Sequence, residues 1–247
     1  MTAVQVTWMR EVRAFGGTFS GSVPVAAFLS VCGWTFVMLL RRHEGSVLQV
    51  QSIWGVSVAP WLPILSAVLT MRLFSEERAT GMIDLLLASP IRERDLVIGK
   101  YLSAMTVMAA AVALSLLSPA VILPALSAPV QGTVRVSAFA ATYAALLLQA
   151  STWCAAGTML SVLFRNQAAA AVGALVLCSG LPVAVYAVVL AWIPSARTQV
   201  AWMPLLMHVY DFSTGLFSTG VLSLYATLTV CFLFGCSKML ACLRLRG

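Results

Sequence analysis

Phe74-Ser-Glu-Glu-Arg-Ala-Thr-Gly-Met-Ile-Asp-Leu-Leu-Leu-Ala-Ser-Pro-Ile-Arg-Glu-Arg-Asp-Leu-Val-Ile-Gly-Lys100 is the densest run of charge in the chain, and long apolar runs flank it on both sides. Only 9% of the 247 residues are charged and 61% are hydrophobic, with a mean hydropathy of +0.96. Soluble domains carry about 25% charged residues, so a water-soluble fold is excluded. No Asp, Glu, Lys or Arg occurs in 14–40, 45–71, 101–134, 136–164, 166–196 or 212–237. Each window exceeds the roughly 20 residues that cross a hydrocarbon core of about 30 Å. Lipid-exposed backbone must satisfy itself within a helix or a closed barrel, and these runs lack the short alternating segments of a barrel. The expectation is an all-α integral membrane protein with six transmembrane helices in one domain, residues 1–247.

Charge also orients the chain. With six spans, Arg10, Arg13, Arg72, Arg78, Arg92, Arg94, Lys100, Arg165, Lys238, Arg244 and Arg246 share one side, against Arg41, Arg42, Arg135 and Arg197 on the other. The positive-inside rule then puts both termini in the cytoplasm. The net charge of +7 reflects this bias and attraction to membrane lipid; nucleic acid is not needed to explain it. The first apolar run is too long for a signal-peptide core. The six cysteines show no metal-like spacing, and Cys242 among basic residues is read as incidental, lipidation being the alternative.

Working outward, residues 2–19 place Val4, Trp8, Met9, Val12, Phe15 and Phe19 at helical spacing with Arg10, Glu11 and Arg13 off the stripe. That pattern fits an amphipathic helix in the interface plane; the plainer reading is the start of the first span. Gly21 and Pro24 are read as the turn into span one, near 23–40. Span two is expected at 53–73, kinked by Pro60 and Pro63, and span three at 96–117, with Pro119, Pro124 and Pro129 breaking the chain beyond it. Spans four, five and six are expected at 137–164, 168–192 and 217–240. The outer segment 194–216 holds Trp202, His208, Tyr210 and Phe212, which suit an interfacial or re-entrant helical piece. His208 and Asp211 lie one helical turn apart, and two ligands are too few for a metal site, so a hydrogen-bonding pair is expected.

Phe74–Ser89 reads as a helix leaving span two and stopped by Pro90. Met82, Leu85, Leu86 and Ser89 share one face with Arg78, while Glu77, Thr80 and Asp84 lie elsewhere. Glu76-Glu77-Arg78-Ala-Thr-Gly81-Met-Ile-Asp84-Leu-Leu-Leu-Ala-Ser-Pro90, followed by Val97-Ile-Gly99-Lys100, resembles the coupling segment of type-two ABC exporter permeases. Met207-His208-Val-Tyr-Asp-Phe212-Ser-Thr-Gly215 resembles the permease branch linked to gliding motility and nitrous-oxide-reductase maturation. Asp84 stands where many relatives have Glu, and the large outer domains of some relatives are missing. The resemblance implies a permease subunit of an ATP-binding-cassette exporter in the plasma (bacterial inner) membrane. Its implied partners are a cytoplasmic ABC ATPase, a second permease copy (homodimer or close paralogue) and membrane lipid.

In that reading the 74–95 segment, with Glu76, Glu77, Arg78, Gly81, Asp84, Leu85 and Pro90, meets the ATPase. Together with the N-terminal helix, it passes the movement to spans one, two and five. Arg78 is expected to pair with Asp84 or lipid phosphate, and Gly81 to admit the ATPase or mark a bend. ATP and Mg belong to the partner. A phosphate-cradling loop needs Gly-Lys followed by Ser or Thr, and Gly99-Lys100 is followed by Tyr101, so no catalytic, cofactor or metal residues are expected here. The rival is a non-transporting membrane scaffold that recruits a soluble complex through the same loop. An intramembrane enzyme is more distant, because no GxSxG, HExxH or intramembrane acid pair occurs.

Overall fold

Prolines, glycines and one asparagine decide where the apolar runs break into helices. In the computed structural model of the protein, the described residues are 2–17, 19–42, 50–83, 86, 92–125, 136–180, 204–215 and 219–244. Among them there is no strand. Helix α1 covers Ala3–Gly17 and α2 covers Phe19–Arg42. The expected turn at Gly21 and Pro24 is instead inside α2, and the break falls before it. Gly21 is needed for the close approach of α2 to the end of α1, since a Cβ there would lie 2.1 Å from the Phe15 carbonyl oxygen. Pro24 near the helix start removes only one backbone hydrogen bond.

The second span is α3, Val50–Val58, and α4, Leu62–Thr70, joined by the 3-10 turn Ala59–Trp61 at Pro60, where the kink was expected. After a turn at 71–74 comes the short α5, Ser75–Ala79. Helix α6 runs over Glu93–Ser115 and α7 over Leu117–Ala125. The chain thus stays helical past Pro119, because this proline sits in the first turn of α7, where backbone N–H groups have no helical partner to lose. Helix α8 is Val136–Leu163. Asn166 then caps α9, Gln167–Leu175, by accepting from the Ala168 N–H at 3.0 Å, and a π turn follows at Val176–Gly180. Helix α10 is Pro204–Thr214, ended by Gly215 at φ +90°, and α11 is Thr219–Arg244.

Among the described residues, five helical runs are long and apolar enough to cross a membrane: Gly21–Arg42, Val50–Ala79, Glu93–Ile122, Val136–Leu163 and Thr219–Arg244. The expected fifth of six spans, 168–192, is described only to Gly180, as the shorter apolar run Gln167–Gly180; the remainder lies outside the described residues.

Burial separates the runs. The apolar windows of Val50–Ala79 and Val136–Leu163 are 72% buried, against 17%, 28% and 11% for the first, third and last runs. The second and fourth runs therefore form the inside of the chain. Helix α8 packs against α3, α4, α6, α9, α10 and α11. It comes close to α4 because Gly157 has no side chain; a Cβ there would lie 2.1 Å from Thr70 Oγ1. Polar side chains tie the interior by cross-helix hydrogen bonds. Ser52 meets Ser213 at 2.6 Å, Trp54 Nε1 donates to Ser115 Oγ at 3.1 Å, and the Tyr143 hydroxyl donates to the Ala109 carbonyl at 3.1 Å. Helix α10 is thereby drawn against α3, with Val209 and Phe212 buried.

Candidate functional site

The charged connection folds against one end of the bundle because its first turn is tied to α6 through Glu77 and to α8 through Arg78 and two backbone N–H groups. Glu77 Oε1 accepts from Lys100 Nζ at 2.7 Å. Lys100 sits two turns into α6, is 1% exposed, and also donates to the Leu73 carbonyl. Its ammonium lies 4.9 Å from the Phe74 ring centre, within cation–π range, and 3.4 Å from Glu11 Oε1 of α1. Arg10 bridges the two acids, 2.8 Å from Glu11 and 3.7 Å from Glu77. The result is one buried cation shared by two carboxylates from different helices, with an exposed arginine closing the outer side. Glu77 Oε2 is buried with no hydrogen-bond partner.

Of the partners expected for Arg78, Asp84 lies outside the described residues; among the described residues Arg78 meets backbone carbonyls. Its guanidinium donates to the Val162 carbonyl and, at 2.9 Å, to the Leu163 carbonyl. These are the last carbonyls of α8, which lack helical donors and carry the negative end of the helix dipole, so a cation settles there. Ser161, the residue before Val162 on α8, accepts from the backbone N–H of Phe74 at 3.0 Å and of Ser75 at 3.1 Å. It donates to the Met71 carbonyl at 3.2 Å. Through Ser161, α8 supplies the cap that α5 lacks in its own sequence.

The expected continuous helix over 74–89 is not what forms. Helix α5 stops at Ala79, and Gly81 takes φ +73°, a conformation that costs an L-residue about 1–2 kcal/mol. The bend rotates the following residues, so Ile83 rather than Met82 turns inward: Ile83 is 6% exposed and Met82 57%. A Cβ on Gly81 would meet nothing within 4 Å, so within this chain the glycine makes a bend and no close contact. Glu76 is exposed on the outer side of the turn. Of the residues expected to couple, Glu76, Glu77, Arg78 and Gly81 come together here, while Asp84, Leu85 and Pro90 lie outside the described residues.

The N-terminal helix meets this cluster directly. Thr7 is buried against Gly99, where a Cβ would lie 2.9 Å from Thr7 Cβ. Trp8 Nε1 donates to Thr106 at 3.4 Å. Glu11, assigned from spacing to the polar side, in fact faces the protein through Lys100. At the same end of the bundle, Arg244 of α11 pairs with Glu93 of α6 at 2.5 Å.

Sequence reasoning passed over Lys100, Glu11 and Ser161. Lys100 had a signal in hindsight: it is the last charge before a long uncharged window, four residues beyond Leu96 and so past the first turn of the span.

His208 and Asp211 are in α10, away from this cluster. Burial holds the His208 imidazole below its ordinary range, against the opposite pull of Asp211. Its Nδ1 lies 3.1 Å from the Tyr225 hydroxyl, with the rings edge to face. Among the described residues no group of three His, Cys, Asp or Glu side chains comes together as a metal site.

The sequence model of a family described as "ABC-2 family transporter protein" matches residues 14–211, well over half of the chain. The search among curated proteins gives no match.

Proposed function

The chain belongs to the ABC-2 transporter family, a permease family of multi-pass membrane transport proteins, and on that premise we propose that it is the transmembrane subunit of an ATP-binding-cassette exporter. A separate cytoplasmic ATPase binds ATP and Mg and supplies the work, and two permease copies, identical or closely related, form the path. Glu76, with the adjacent 74–95 segment, is the contact to that ATPase.

One observation carries the coupling reading. Neighbouring carboxylates on a single turn are unequally held: Glu76 is exposed, and Glu77 is tied to a lysine buried in α6. A push delivered at the surface therefore reaches α6 through Glu77 and α8 through Arg78 and Ser161. The route leads to the third and fourth spans, where the sequence alone had pointed to the first, second and fifth. Helix α1 joins it at Lys100 and Gly99.

The same contacts support a topology. Helix α1, the 70–80 turn, the start of α6, the end of α8 and the end of α11 meet at one end of the bundle. A chain that leaves this end at α9 and returns to it by α11 crosses once more between them. That supports six spans, with both described ends on one side, and the excess of Lys and Arg at this end favours the cytoplasmic side of a bacterial inner membrane for it. The 207–215 pattern favours the gliding-motility and nitrous-oxide-reductase-maturation branch, with α10 as the outer re-entrant piece.

Purification of the tagged chain in mild detergent, with mass spectrometry of what stays bound, tests this reading. A stoichiometric nucleotide-binding subunit is expected, and Glu76→Ala should uncouple its ATP turnover from transport while the chain stays folded. A stable complex with proteins that are not ATPases, or an E76A complex that turns over and exports normally, would overturn it.

A further inference from the structure

A cavity of about 490 Å³ opens beside the charged cluster, walled by Glu11 and Phe15 of α1, by Arg72, Glu76 and Glu77, and by Lys100. Its walls carry charge of both signs, and those charges are not equally satisfied. Lys100 is taken up by Glu77 and Glu11. Arg72 forms no ion pair with any carboxylate among the described residues, and its Nε is buried without a hydrogen-bond partner. Buried polar groups left unpaired are rare and call for an explanation. Among the described residues the cavity thus keeps one guanidinium without a carboxylate on its wall and, at Glu76, one carboxylate in no ion pair.

A second hollow has a volume of about 220 Å³. It runs between Pro24, Phe28 and Val31 of α2 and Trp61, Ile64 and Val68 of the second span, so its lining is apolar. Ile64 and Val68 lie one turn apart on α4 and Arg72 follows in the turn after it, so the second span leads from the apolar lining to the charged one. Phe15 walls the charged hollow and Pro24 the apolar one, so both lie along a single seam between the N-terminal helices and the second span. From Trp61 to Arg72 is about 16 Å at about 1.5 Å per helical residue, one leaflet of a hydrocarbon core of about 30 Å.

We propose that this seam binds one phospholipid of the leaflet at the charged end of the bundle, with a primary-ammonium headgroup of the phosphoethanolamine type. The phosphate sits on the Arg72 guanidinium, whose planar donor fork suits phosphate oxygens. The ammonium sits among the carboxylates on the Glu76 side, and an acyl chain fills the hollow between α2 and the second span. Each alternative headgroup fails on one count. A quaternary ammonium has no N–H to give a carboxylate, and an anionic headgroup meets Glu11, Glu76 and Glu77 once Arg72 is satisfied. The proposal needs only that the second span crosses the membrane; it does not rest on the ATPase.

Native mass spectrometry of the full chain in mild detergent tests it, with phosphatidylethanolamine, phosphatidylcholine and phosphatidylglycerol offered at equal concentration. Retention of the ethanolamine lipid above the other two is expected. Arg72→Gln should lower that retention about tenfold, the size of one lost charge-assisted hydrogen bond. Val68→Trp, which fills the apolar hollow, should lower retention of all three lipids. Equal or better retention of phosphatidylglycerol by the unaltered chain overturns the proposal, as does equal retention of phosphatidylcholine. Undiminished binding of phosphatidylethanolamine by Arg72→Gln overturns it too. Should Arg72→Gln fail to fold, Val68→Trp decides alone, and retention at the level of the unaltered chain sinks the idea. No ATPase is present in this measurement, so its failure leaves the coupling reading untouched.

Discussion

Replacing Glu77 with alanine removes the nearer of the two carboxylates that hold the Lys100 ammonium, at 2.7 Å, and leaves Glu11 at 3.4 Å. With an effective dielectric of about 20, Coulomb's relation gives about 6 kcal/mol for the first distance and about 5 kcal/mol for the second. Those are gross attractions, and desolvation of a lysine that is 1% exposed offsets most of them. What survives is an asymmetry, because breaking a buried pair so that a charge is stranded costs about 3–5 kcal/mol. Glu11 can still neutralise Lys100 in E77A, so that variant should lose only about 2 kcal/mol, and Glu11→Ala about 1 kcal/mol. The double variant strands the cation and should lose about 5 kcal/mol, well beyond the sum. Adding Lys100→Met to the double variant should recover most of the loss, since an apolar chain of similar volume needs no partner.

Unfolding of the purified chain in rising SDS, followed by Trp fluorescence and helical circular dichroism, reads all four. Two results would refute the shared-cation arrangement. One is additivity within about 0.5 kcal/mol, the range expected of independent sites. The other is a triple variant as unstable as the double.

Three further perturbations test the supports around this cluster. Ser161→Ala leaves the Phe74 and Ser75 N–H groups without their acceptor and should cost about 1–3 kcal/mol, seen in the same SDS titration. Gly157→Ala drives a methyl into Thr70 and should cost about 1–3 kcal/mol by overpacking; combining it with Thr70→Ala should restore most of the stability, and failure to do so would count against a direct clash. Gly81→Val should cost about 1–2 kcal/mol or more from the left-handed backbone at φ +73°, with Gly81→Asn milder. Equal stability of the valine and asparagine variants would show that the bend is not held.

Much of this architecture was legible because lipid is an exacting solvent. A chain with 9% charge and apolar windows longer than a bilayer has few folds open to it, so the helical class and most span positions followed from composition. The second, third, fourth and sixth expected spans match observed helices to within a few residues at most ends. Local geometry was less legible. Gly21 and Pro24 looked like a turn and lie within a helix, because Gly21 serves the approach of Phe15 and the helix already begins at Phe19. The helix expected to run from Phe74 to Ser89 breaks at Gly81, a position where sequence allowed either bend or helix.

The site shows the same division. Sequence marked Glu76, Glu77 and Arg78 as a cluster of charge, and chemistry could say no more, since an exposed carboxylate and one paired with a buried lysine are the same residue type. Only tertiary packing separated them. It turned Glu77 toward Lys100 on α6, set Arg78 on the bare carbonyls ending α8, and left Glu76 outside. Helix periodicity put Glu11 on a polar face, yet α6 supplies the buried cation that draws it inward. Hydropathy is a sum along the chain and so survives without coordinates. Pairing between residues dozens of positions apart is a property of which helices touch, and no local pattern encodes it.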